Sequence, residues 1–186
     1  MREPLTIRRY QAGDWPSVWP ILHHAFSTGD TYAFAPESTE AEVHKIWIEG
    51  PQATYVACSG DGGILGTYIL KPNQPGLGSH VCNCGYVVGP AARGKGIGAA
   101  MCEHSQNAAR SLGFRSMQFN LVVSTNTGAV HLWQKLGFAI VGTLPGAFQH
   151  KVHGEVDAYV MFKHLAANRQ PNQAPEPTAA TGRGSS

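Results

Sequence analysis

The stretch Val87-Val88-Gly89-Pro90-Ala91-Ala92-Arg93-Gly94-Lys95-Gly96-Ile97-Gly98-Ala99-Ala100 constrains this chain more than any other part of it. A β-branched run leads in and a helix-forming run leads out, so the segment joins a strand to a helix. Gly94, Gly96 and Gly98 let the backbone turn tightly and place no Cβ between its N–H groups and a ligand. Those N–H groups open a helix, where the first amides have no intrahelical acceptor and the dipole favours negative charge. Such a loop is built to hold an anion, a phosphate or pyrophosphate above all, and Arg93 and Lys95 add positive charge beside it.

Two other phosphate loops fit less well. A Walker loop needs Gly-Lys-Ser/Thr, whereas Lys95 precedes Gly96 and no hydroxyl is placed for magnesium. Gly94-x-Gly96-x-x-Ala99 matches the loose dinucleotide fingerprint. A Rossmann loop, however, follows its strand directly and needs an acid about twenty residues on, after the next strand. Here residues 90–93 intervene, and the next strand ends on Ser124 and Asn126.

The remaining elements are read around this loop. Residues 5–10 alternate as a short strand does, and Asp14 is expected to N-cap a helix running to about Phe26, with Pro16 in its first turn. Residues 28–38 form a loop carrying Tyr32, Phe34 and Pro36. Thr39-Glu40-Ala41-Glu42 reads as a capping box before a helix containing Val43, Ile46 and Trp47. Residues 53–59 and 64–71 are strands joined by the turn Gly60-Asp61-Gly62-Gly63. Residues 80–88 form the strand before the glycine loop, and residues 97–112 a helix closed by Gly113. A strand (115–123), a helix (127–136, ended by Gly137) and two strands (138–144 and 156–162) follow. The order β-α-α-β-β-β-α-β-α-β-β predicts a mixed α/β fold, a sheet flanked by helices. Periodicity is lost after Leu165, and residues 167–186, rich in Pro, Ala, Thr, Gly and Ser, are expected to be a disordered tail to a domain spanning 1–166.

Arg93-Gly94-Lys95-Gly96-Ile97-Gly98 resembles the acetyl-CoA pyrophosphate loop of the GNAT N-acetyltransferase superfamily, written Arg/Gln-x-x-Gly-x-Gly/Ala. A second block at that family's spacing runs Asn126-Thr127-Gly128-Ala129-Val130-His131-Leu132-Trp133-Gln134-Lys135-Leu136-Gly137-Phe138. With the order of elements, the resemblance covers roughly residues 5–165. It implies a central, mostly antiparallel sheet with one splayed parallel pair, and acetyl-CoA as co-substrate. The pantetheine arm would lie beside Tyr86, Val87 and Val88, with the Val88 N–H polarising the thioester carbonyl. The backbone of Arg93, Gly94, Lys95, Gly96, Ile97, Gly98 and Ala99 would hold the pyrophosphate, and Asn126 would bond the pantetheine. The reaction implied is direct attack by an uncharged amine, and the family implies a homodimer. Trp133 stands where members often carry a Tyr that protonates the leaving thiolate. An indole N–H donates a hydrogen bond but is not a useful acid, so Trp133 is either a cofactor contact or a core aromatic.

A narrower resemblance lies in His80-Val81-Cys82-Asn83-Cys84-Gly85-Tyr86, in Phe119-Asn120-Leu121-Val122-x-x-Thr125-Asn126 and in Glu155-Val156-Asp157-Ala158. These strings are similar to fungal and microbial acetyltransferases that detoxify azetidine-2-carboxylate and other proline analogues. The likeness implies catalytic and substrate roles for Asn83 and Asn120, and a small imino acid as acceptor. Tyr32 and Phe34 are candidate pocket walls. No Asp or Glu lies on the strand 80–88 to take the amine proton, which leaves His80 or a held water. Other amine acceptors (an amino-acid-like herbicide, an aminoglycoside, a protein N-terminus) and a non-catalytic acyl-CoA sensor are the rival readings.

Composition closes off further classes. A formal charge of +2 argues against a nucleic-acid partner, and no run of 18 apolar residues spans a membrane. The N-terminus lacks the apolar core of a signal peptide, so a cytoplasmic protein is expected. Cys58, Cys82, Cys84 and Cys102 make no disulfide or zinc spacing and are expected to pack as free thiols. His150-x-x-His153 lacks partners for a metal site and is expected to be surface histidine.

Overall fold

The computed structural model describes residues 4–165, so the expected tail from 167 lies outside the described residues. Seven strands form one sheet in the order β1-β2-β3-β4-β5-β7-β6. These are β1 (Thr6–Arg9), β2 (Ala53–Cys58), β3 (Ile64–Pro72), β4 (Val81–Val88), β5 (Ser116–Val123), β6 (Ala139–His150) and β7 (Gly154–His164). Every neighbouring pair is antiparallel except β4–β5, which is the expected parallel pair. The helices are α1 (Trp15–Ser27), α2 (Glu40–His44), α3 (Ile97–Ser111) and α4 (Thr127–Lys135).

The strand period of two sorts β4 between two cores. Cys82 and Cys84 are buried with Met101 and Cys102 of α3 and Trp133 of α4, and Tyr86 and Val88 pack against that cluster. Val87 faces the other way and is buried with Val18 and Ile21 of α1 and with Trp47. Burial of this kind stabilises by about 25 cal/mol per Å² of apolar surface, so α1/α2 and α3/α4 clamp opposite faces of the sheet. All four cysteines are free and buried.

Two helix starts show how local chemistry decides the ends. Thr39 caps α2 as expected, accepting from the Glu42 N–H, while the Glu42 carboxylate accepts from the Thr39 N–H at 2.8 Å. Beyond His44 the helix widens into one π-helical turn, Lys45–Glu49, closed by an i→i+5 bond from Gly50 N to Lys45 O at 2.9 Å. Asp14 does not cap α1 with its side chain. Its carboxylate is taken by a bidentate pair with Arg8 (2.7 Å each) and by the Gln11 N–H (2.8 Å).

The last two strands extend well past the expected 138–144 and 156–162. Pro145 and Gly146 in residues 139–150 argue against a long strand, but β6 is the sheet edge, where a missing N–H costs no ladder bond. A register shift between Leu144 and Phe148 absorbs them. His150 is buried rather than on the surface. Its Nδ1 accepts from the Val152 and His153 N–H groups (3.1 and 3.3 Å) and so shapes the β6–β7 turn.

Candidate active site

The parallel ladder between β4 and β5 holds for only three pairs, Val81↔Ser116, Cys82↔Met117 and Asn83↔Gln118. Both strands run on to Val88 and Val123, so a gap opens between them beyond Asn83. On the far edge of β5 the ladder to β7 jumps from Phe119↔Met161 to Val122↔Tyr159. Two residues, Asn120 and Leu121, thus oppose one, a β-bulge that bends the strand beside the gap.

Which backbone groups face the gap follows from alternation along β4. Gly89 N donates to Leu65 O (2.8 Å) and Val81 O accepts from Asn73 N (2.8 Å), so odd-numbered groups face β3. His80 O accepts from Arg115 N (2.9 Å), so even-numbered groups face β5. The Val88 N–H and the Tyr86 carbonyl therefore point into the gap. The Tyr86 carbonyl is already used there, accepting the Tyr32 hydroxyl at 2.9 Å. A Cβ at Gly85 would stand 3.2 Å from that hydroxyl oxygen, so glycine makes room for the tyrosine.

At one end of the gap lies the glycine loop. Gly94 and Gly96 have φ of 74° and 81°, left-handed values that disfavour side chains. Gly96 is the N-cap of α3 and supplies no side-chain oxygen to the first-turn amides. Arg93, Lys95 and both glycines are exposed, while the Ile97 side chain is buried in the core, so only its backbone faces the loop. Unpartnered amides under an open, left-handed glycine cradle fit a pyrophosphate.

The gap opens into a cleft of about 540 Å³ that Arg93, at the start of the loop, borders and that also reaches Lys71, Asn83, Asn120, Asn126 and Trp133. Asn83 and Asn120 lie on adjacent strands, as expected. The Asn83 amide N–H donates to Gln118 O (2.9 Å). Asn120 is exposed, at the bulge rather than in a regular strand, and belongs to a chain of amides. Gln118 Nε2 donates to Asn120 Oδ1 (2.8 Å), and Asn120 Nδ2 donates to Asn73 Oδ1 (2.7 Å). Asn126 follows β5 and N-caps α4, its Oδ1 accepting from the Ala129 N–H at 3.2 Å. Trp133 is 9% exposed, with its ring 5.0 Å from Tyr86 and 5.2 Å from Phe119, and it is both core and cleft wall.

Tyr32 and Phe34 line the cleft, stacked at 5.9 Å on each other and packed on Phe26. Burial drives the Tyr32 phenol well above its usual pKa, and nearby Cys84 adds to this. Burial likewise raises Tyr86, whose hydroxyl meets Ser105 Oγ at 2.7 Å on the α3 side. Cys84 also borders the cleft, yet burial pushes its thiol far up, and Cys82 is pushed up to about 12. Neither thiol is a nucleophile at neutral pH.

His80 is outside the cleft lining; it is exposed, with its Nδ1 3.1 Å from Leu77 O. The sequence reading missed Asp30, Lys71 and Asn73. Lys71 was detectable in principle, since antiparallel pairing sets it opposite Asn83. Nothing local in the sequence signals Asn73, which reaches Asn120 from 47 residues away.

The model of the Acetyltransferase (GNAT) family matches residues 15–138. Over 103 residues the chain is 42% identical to the N-acetyltransferase aca1 of Schizosaccharomyces pombe, covering 55% of this chain and 49% of that protein. The chain thus spans about half the length of this curated relative. Among solved structures, a GCN5-related N-acetyltransferase from Kribbella flavida is 44% identical with a TM-score of 0.82, over 86% of this chain and 97% of its own. A phosphinothricin acetyltransferase from Sinorhizobium meliloti, in complex with AcCoA, shares the fold at 22% identity and a TM-score of 0.77, over 93% of this chain and 96% of its own.

Proposed function

This chain belongs to the acetyltransferase (GNAT) family, and from that premise we propose that it transfers the acetyl group of acetyl-CoA to a small imino acid of the azetidine-2-carboxylate type, as a detoxifying enzyme. One observation carries the reading: a cleft along the β4–β5 gap is walled by amides and bordered by Arg93, at the start of a left-handed glycine loop that opens α3. The strings around Asn83 and Asn120, similar to those of proline-analogue acetyltransferases, supply the substrate class.

Bound acetyl-CoA supplies an acetyl group activated as a thioester. The backbone amides of residues 94–99 and the Arg93 side chain hold its pyrophosphate, and the Nδ2 of Asn126 bonds the pantetheine. The Val88 N–H donates to the acetyl oxygen as negative charge develops there, a role whose loss typically costs about 10²–10³ in rate. The uncharged ring nitrogen attacks the acetyl carbon, the C–S bond breaks, and the nitrogen sheds its proton. Protonated Cys84 supports direct transfer over an acyl-cysteine route. A thiol of pKa about 8.5 leaves as a hydrogen-bonded thiolate without a strong acid, so Trp133 need not act as one. Asn83 and Asn120 orient the acceptor, and Tyr32 and Phe34 wall its ring.

The test is acetyl-CoA-dependent thiol release with azetidine-2-carboxylate, proline, hydroxyprolines, common amino acids, an aminoglycoside and a peptide, beside Asn83→Ala and Asn120→Ala. Selective turnover of imino acids, lost in either folded variant, supports the reading. Preferential turnover of another amine discards the substrate. We place the enzyme in the cytoplasm as a homodimer. The exposed Ile140, Val141 and Leu144 on edge strand β6 support self-association, which sedimentation at graded concentrations would test.

A further inference from the structure

Three charged residues border the cleft: Asp30, Lys71 and Arg93. Arg93 stands at the phosphate end, where it belongs to the glycine loop. Asp30 is engaged by the Thr28 hydroxyl at 2.6 Å. Lys71 has no ion pair or side-chain hydrogen bond among the described residues. Its place in the sheet is set by register: β3 pairs it directly with Asn83. Residues opposite one another in an antiparallel pair project to the same face, so the exposed Lys71 side chain leaves the sheet on the face that carries Asn83 and borders the cleft there. Lysine is depleted in strands, and the wall around it (Asn83, Gln118, Asn120) is neutral and brings no counter-ion. An unpaired cation among orienting amides is a receptor for an anion.

We propose that Lys71 recognises an anionic group on the acceptor, a carboxylate whose carbon is two bonds from the reacting nitrogen, and thereby sets specificity for amino and imino acids over neutral amines. This rests on the acetyltransferase reading above and deepens it. The amides orient the acceptor, while Lys71 supplies the charge that distinguishes an acid from its amide. Lys71 is a specificity residue and makes no contact with the reacting atoms.

The experiment compares kcat/KM for matched pairs: azetidine-2-carboxylate and its carboxamide, proline and prolinamide, glycine and glycinamide. Wild type, Lys71→Gln, Lys71→Glu and Lys71→Arg are assayed at saturating acetyl-CoA. An acid and its amide differ in amine basicity, so the readout is the change in the acid-to-amide ratio between wild type and variant, in which that difference cancels. Lys71→Gln should lower the ratio by about 10–30-fold through KM, as expected for a charged hydrogen bond. Lys71→Glu should lower it further and Lys71→Arg should retain most of it, with the KM for acetyl-CoA unchanged in all three. A ratio within about twofold of wild type in Lys71→Gln, on the pair wild type uses best, overturns the proposal. If the pair used best is not cyclic, the imino-acid reading falls, while the ratio on that pair still decides the role of Lys71.

Discussion

The two ends of the cleft are made of different materials. The proposed cofactor end is backbone: the Val88 N–H, the left-handed Gly94 and Gly96, and the first amides of α3. The proposed acceptor end is side chain: Lys71 from β3, Asn83 from β4, Asn120 from the β5 bulge and Tyr32 from the loop before α2. A site built of backbone must be encoded contiguously, because only neighbouring residues turn consecutive amides toward one ligand. A site built of side chains is assembled by register, and its members are scattered along the chain. The cofactor end should therefore break through changes of conformation, and the acceptor end through changes of chemistry.

The sharpest break at the proposed cofactor end is Val88→Pro, which removes the N–H proposed to meet the acetyl oxygen. That N–H belongs to no ladder, so proline removes no sheet hydrogen bond here. The expected result is a fall in kcat of about 10²–10³ with acetyl-CoA binding and circular dichroism near wild type. Val88→Ala should retain most of the rate. Retained turnover in the proline variant would remove Val88 from the proposed mechanism.

Gly96→Val should come next. A left-handed residue other than glycine costs about 1–2 kcal/mol, and a β-branched one more, so the cradle should open. The affinity for CoA, measured by calorimetry, should fall by about 10–30-fold or more. A change in acceptor KM without a change in CoA affinity would put the two ends in the wrong places.

The same division explains what could be read before folding. The strand–glycine–helix segment, the capping box at Thr39 and the parallel pair implied by the family resemblance all rest on contiguous residues or element order. Asp14 misled because its carboxylate is claimed by Arg8, a strand residue whose reach no capping rule includes. His150 misled because spacing says nothing of burial in a turn. Lys71 and Asn73 were missed because only strand pairing carries them to Asn83 and Asn120. Edge strand β6 runs on past the expected 138–144 because Pro145 is tolerable at a sheet edge, a position that only the strand order reveals.

At the acceptor end, Asn73→Ala should act through Asn120. Losing the 2.7 Å acceptor frees the Asn120 amide to reorient, at a cost of about 1 kcal/mol. Acceptor KM should rise roughly fivefold with kcat and acetyl-CoA KM little changed. Asn73→Ser keeps a neutral acceptor oxygen near that position and should recover part of the loss. Equal damage in both variants would show that Asn73 supports only the local fold.

Tyr32 touches both ends, and its substitution should have the smallest effect. Tyr32→Phe deletes the bond to Tyr86 O and leaves that carbonyl unpaired, so stability should fall by about 1 kcal/mol, or roughly 2–4 °C in Tm. The effect has a signed pH dependence. Burial holds the folded phenol above its unfolded pKa of about 10, so its contribution is complete below that pH and is lost as pH rises beyond it. Above about pH 10 the unfolded wild type gains stability by ionising Tyr32, which Tyr32→Phe cannot do. The Tm gap between the two proteins should therefore be constant from neutral pH to about 9 and should narrow above about 10. A gap that persists unchanged into that alkaline range would mean the Tyr32 hydroxyl is solvated rather than sealed against β4. The gap between the strands would then be open to water at the point where the two halves of the cleft meet.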